Sequence, residues 1–75
     1  MNRPEFSVCQ FFKDGSHEYV RRYVMAEEAV KAMQHYTNNV ASKMGITTRV
    51  IITDGDDCTV FEWKAGEGQV WPEPM

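Results

Sequence analysis

Three aspartates fall within four positions, Asp54-Gly55-Asp56-Asp57, the densest set of oxygen ligands in the chain. Carboxylates gathered in this way suit a hard cation. Calcium, however, takes about six to eight oxygens, and its loop motif needs alternating acidic ligands with a distant bidentate Glu. Neither is present, so the segment reads as the solvated tip of a hairpin, and no metal ligand is expected. Cys9 and Cys58 are the only thiols, and His17 and His35 the only imidazoles. A cysteine nucleophile needs a neighbouring base or a depressed pKa. His17 stands beside a turn and His35 on the polar side of a helical segment, with no shared cleft implied. The thiols are far apart in sequence and form no Cys-x-x-Cys knuckle, so a Cys/His metal site is not indicated. The expectation is of no catalytic residue, no cofactor and no enzyme activity.

"YVRRY", residues 19–23, interleaves aromatics with arginines. On a strand, Tyr19, Arg21 and Tyr23 share a face, and aromatics on a sheet can stack on unpaired bases. Against this stands the charge. Eight basic residues face eleven acidic ones, for a net charge of −3 with neutral histidines. Nucleic-acid binding draws on a basic stripe that releases counterions, and apart from Arg21-Arg22 the basic residues are scattered. Cross-strand packing of the Tyr rings, with Arg stems laid over apolar surface, is the preferred reading. The net acidity also speaks against a membrane surface.

The elements that position these residues follow from local pattern. "EFSVCQFF", residues 5–12, and "HEYVRRYV", residues 17–24, are rich in β-branched and aromatic types and read as strands joined through Asp14-Gly15. A two-residue type I′ turn there pairs Phe12 with His17, Gln10 with Tyr19, Val8 with Arg21 and Phe6 with Tyr23. From Ala26, the positions Ala29, Val30, Met33, Thr37, Val40, Ala41 and Met44 keep the period of an amphipathic helix. Glu27 and Glu28 in its first turn, Lys43 in its last and Gly45 after it fit its polarity and its end. Residues 47–53, "TTRVIIT", and 58–64, "CTVFEWK", form a second hairpin around the aspartates. Its register sets Arg49 directly opposite Glu62. "AGEGQVWPEPM", residues 65–75, reads as an irregular tail because of its glycines and prolines, with Val70 and Trp71 able to dock.

The order β-β-α-β-β predicts a single α+β domain over residues 1–75, with its core in 5–64. It is a two-layer sandwich in which one long amphipathic helix covers one face of a four-stranded, mainly antiparallel sheet. Which face the helix covers, and which strand of the first hairpin adjoins the second, stay open. Two cysteines without a signal-like start point to a cytoplasmic chain with reduced thiols.

The aromatic load then becomes the main clue. Phe6, Val8, Phe12, Tyr19 and Tyr23 fall on one side of the first hairpin, while Phe11, Val20 and Val24 fall on the other. One helix cannot shelter both. Exposed apolar surface of that kind marks an interaction site, and a second copy is the simplest partner. The sequence therefore predicts a homodimeric interaction or accessory module. It would self-associate through the helix-free sheet face, with Phe6, Val8, Phe12, Tyr19, Tyr23 and Trp71 as the interface. The alternatives are a single-stranded nucleic-acid binder using Tyr19, Arg21 and Tyr23, or a small-molecule binder. The pocket of the latter would lie between helix and sheet, or at the dimer seam with Trp71 as a lid.

Overall fold

The computed structural model describes residues 3–73, so the last two residues of the expected tail lie outside it. The chain is a small α+β fold in which a helical layer packs on an antiparallel sheet of five strands. The strands are β1 (Phe6–Phe12), β2 (His17–Val24), β3 (Thr47–Thr53), β4 (Thr59–Lys64) and β5 (Gly68–Trp71), and the helices are α1 (Ala26–Asn38) and α2 (Val40–Lys43). The sheet order is β2-β1-β3-β4-β5, so β1 joins the two hairpins.

The fifth strand corrects the expectation of an irregular tail. The Glu67 N–H donates to the Lys64 carbonyl at 3.1 Å, and Gly66, at φ +85°, supplies the left-handed turn that reverses the chain. Val70 and Trp71 are good strand formers, and Pro72 ends the pairing at an edge where no ladder donor is missed. The glycines that read as irregular are the turn of a third hairpin.

The turns set registers that local pattern missed. Around Asp14-Gly15 the loop is one residue longer than the expected type I′ turn. Phe12 N–H donates to the Ser16 carbonyl, Gly15 N–H to the Phe12 carbonyl, and Gly15 sits at φ +91°. That is the three-residue loop in which a left-handed glycine follows a type I turn. Phe11 therefore pairs with His17, Gln10 with Glu18 and Cys9 with Tyr19, one step from the expected register. Two bulges in β2 follow, with Val8 opposite Arg21 and Phe6 opposite Val24. Tyr23, at φ 56°, lies in the second bulge. A bulge adds a residue to one strand and re-aims those after it. The three-residue loop already sets Val20 on the same side as Val8, and the two bulges together keep Val24 on that side with Phe6, where all four meet the core.

The second hairpin is displaced by two residues from the expected register. Ile51 pairs with Glu62, Ile52 with Phe61 and Val50 with Trp63, while Arg49 lies across from Lys64. The Arg49–Glu62 contact survives as a diagonal pair at 3.5 Å. At the tip, Asp54 Oδ1 accepts from the N–H groups of Asp56 and Cys58 at 2.9 and 3.0 Å, which commits that oxygen to closing the bend.

The predicted helix over 26–44 is broken at Asn39, whose extended backbone (φ −81°, ψ 176°) ends α1 and starts α2. Asn competes with helical backbone through its own side chain. Here Asn39 Oδ1 accepts from the Ser42 N–H at 3.0 Å, an N-cap. Gly45 and Ile46 close the C-terminus with N–H groups directed to the carbonyls of Ser42 and Ala41, a Schellman arrangement. The break resets the helical phase. Ser42 is buried and donates to the Tyr36 carbonyl, while Val40 and Met44, expected on the apolar stripe, are each 70% exposed.

The core is thin. Val8, Val50 and Ile52 from the sheet meet Ala29 and Ala32 from α1, and Phe6, Val20, Val24, Met33, Tyr36, Phe61 and Trp63 are only partly buried around them. Alanines at the contact let the helix lie close to the sheet. At the α2 end, Thr47 Oγ1 and Gln10 Oε1 are 3.1 Å apart, and Gln10 Nε2 donates to Glu18 Oε1 at 3.0 Å. These buried amide and hydroxyl groups are thus paired, as burial requires. Among the described residues, no helix is long and apolar enough to cross a membrane.

Candidate functional site

Two surfaces remain after the core is assembled. The first follows from where α1 sits. The helix packs over β1, β2 and β3, and it leaves the far end of the sheet open. An apolar groove of about 330 Å³ opens there, lined by Phe6, Val30, Met33, Ile52, Val60 and Phe61 with Ala26, Ala29 and Pro72. Sequence reasoning placed Val30 on the buried stripe, but it is 42% exposed at the groove. Val60 reaches this side because of the β3–β4 bulge. Thr59 pairs with Thr53 and Phe61 with Ile52, so Val60 is the additional residue between them. The periodicity of the two segments could mark these residues as apolar but not place them together. The groove walls offer hydrocarbon and almost no polar atom.

The second surface is the sheet face without a helix. Alternation along β1 sends Ser7, Cys9 and Phe11 to that side, opposite Thr53, Ile51 and Arg49 on β3. Tyr19 and His17 join them from β2, and Glu62 from β4. This face is less greasy than the sequence implied, because arginines lie across its rings. The Arg49 guanidinium is 4.1 Å from the centre of Phe11, and that of Arg22 is 4.0 Å from Tyr19 and 5.0 Å from Tyr23. Arg22 also donates to the Tyr23 hydroxyl at 3.0 Å, the chief reason its pKa is raised further. Burial pushes the Cys9 thiol up, against weaker opposing pulls from the Glu18 backbone and from Arg49 and Arg22. A thiol in that state is a poor nucleophile.

The six residues expected to form one interface are therefore divided. Val8 is fully buried and Phe6 packs beside it beneath the helix, so neither belongs to the helix-free face. Both are carried there by alternation from the same strand that sends Cys9 and Phe11 the other way. Phe12 is half-buried at the end of β1, opposite Thr47. Tyr19, Tyr23 and Trp71 are exposed by 43%, 63% and 50%. Trp71 pairs across from Glu62, away from the groove, so Pro72 and not Trp71 stands at the groove wall. The trio Tyr19, Arg21 and Tyr23 is also split. The first β2 bulge turns Arg21 to the helix side, where it pairs with Glu28 at 3.4 Å, and Arg22 takes its place between the tyrosines.

Cys58 is free and exposed and Cys9 free and buried. Among the described residues, no three His, Cys, Asp or Glu side chains are grouped to hold a metal ion. No family model, no curated protein and no solved structure matches this chain.

Proposed function

We propose that this chain is a non-catalytic binding module that works as a homodimer, with the apolar groove between α1 and β4 as its seam. The observation that carries this reading is the groove itself, an exposed apolar trough beside a core with few fully buried side chains. A chain of this length buries only about 60% of the surface its unfolded form exposes, and association is a common way for small folds to complete a core. A second copy is the simplest occupant, because Val30 and Val60 rise at the walls of the same trough they would fill on a two-fold partner. The helix-free face is the weaker seam. Its rings already hold Arg22 and Arg49, which would have to be desolvated on docking.

A small apolar ligand in the same groove is the second reading, favoured by its volume, which is at the lower end of the range for ligand pockets. That reading ranks lower because the walls lack the few polar groups that orient a bound metabolite. Analytical ultracentrifugation tests the first. The wild type should sediment at twice 8.7 kDa, and Val60→Asp should sediment at the single-chain mass with an unchanged far-ultraviolet spectrum. A wild type that stays monomeric at high micromolar concentration overturns the proposal.

A further inference from the structure

The helix-free face orders its side chains into a row that its fold has no evident use for. Starting at β3, the Arg49 guanidinium lies over Phe11. Phe11 is 5.6 Å from His17 between ring centres, and His17 is 6.0 Å from Tyr19 in an edge-on arrangement. Arg22 then lies against both Tyr19 and Tyr23. The row thus runs cation, three rings, cation, ring across the face, and Tyr19, Tyr23, His17 and Arg22 are exposed.

The charge on this face runs against that of the chain. Arg22, Arg49 and Lys64 stand on it with a single carboxylate, Glu62, which is taken by Arg49. Among the described residues, neither Arg22 nor Lys64 has an acidic partner within ion-pair distance. Six of the other acidic residues lie elsewhere: Asp54, Asp56 and Asp57 at the hairpin tip, Glu27 and Glu28 on α1, and Glu18 against Gln10. A chain of net charge −3 therefore presents one positive face, and that face carries the rings.

We infer that this face binds single-stranded nucleic acid without regard to sequence. Unpaired bases would stack on Tyr19, Tyr23 and His17, and Arg22 and Lys64 would meet the phosphates. Charge alone would equally attract an acidic peptide, but a peptide of Asp and Glu has no flat surface to lay on the rings, whereas every base has one. A duplex keeps its bases stacked inside and would meet only the cations. The row is short, so the site covers about four nucleotides. The site lies on the opposite face from the groove, so it does not depend on dimerisation.

Fluorescence anisotropy of a labelled oligothymidylate at low salt tests the inference. Saturable binding is expected, weakening with salt at a log–log slope of about −1.4, as the two unpaired cations at about −0.7 each imply. Tyr19→Ala and Arg22→Ala should each weaken binding by about fivefold or more, the loss typical of one stacked base, with the far-ultraviolet spectrum retained. The groove variant Val60→Asp should still bind, which separates a failure of this site from a failure of the dimer. No anisotropy change at low salt would overturn the inference. So would binding that Tyr19→Ala leaves intact, or equal competition by a polyglutamate peptide or a duplex.

Discussion

The Asp14 carboxylate accepts from both the N–H and the hydroxyl of Ser16, and these bonds, side chain first, hold its pKa below the ordinary carboxylate value. A group with a depressed folded pKa stabilises the fold above its unfolded pKa and loses that contribution as the pH falls through the folded value. Asp14→Ala should therefore lower the Tm at neutral pH, and the gap from wild type should shrink steadily below about pH 4, near the unfolded aspartate pKa. Thermal melts across that range check it, and a gap that stays constant would mean that the carboxylate charge is irrelevant to the turn. Asp54 spends one carboxylate oxygen on two backbone donors, so its residue type serves the bend.

Bulges and a helix break did most of the sorting between the two sheet faces. The three-residue loop at Gly15 sends Val20 to the Val8 side, because a one-residue slip moves a side chain to the other face, and the first β2 bulge then adds Arg21 to that side. The Asn39 break does for the helix what the bulges do for the strand, and it is held by one side-chain bond. Asn39→Ala removes that cap and should cost about 1 kcal/mol, read as a lower urea midpoint with an unchanged m-value. Asn39→Asp, which keeps the acceptor, should recover most of it. An Asn39→Ala variant as stable as wild type would show that packing alone maintains the break.

Ala29 and Val30 are adjacent in α1, yet the sheet makes them opposites. Ala29 is 1% exposed against the strands, whereas Val30 is 42% exposed at the groove. Ala29→Asp should unfold the domain, since an unpaired buried charge costs several kcal/mol and a chain of this length has only ~4–10 kcal/mol to lose. Val30→Asp should stay folded and lose only self-association. Circular dichroism and urea melts separate the two. A Val30→Asp chain that is unfolded would place this residue inside the core and close the groove as a surface.

The polar bend at Asp54–Asp57, the helical segment from Ala26 and the strands of both hairpins were legible in the chain, because each follows from spacing and residue type within a few positions. The α+β class followed from their order. Faces were a different matter. Side-chain direction along a strand is a running count, and one bulge, invisible in composition, changes every position after it. That is why Arg22 replaced Arg21 beside the tyrosines and why Val60 reached the groove. The groove and the aromatic row are sums over strands distant in sequence. They came into being only when the sheet order and the lateral position of α1 were settled by packing.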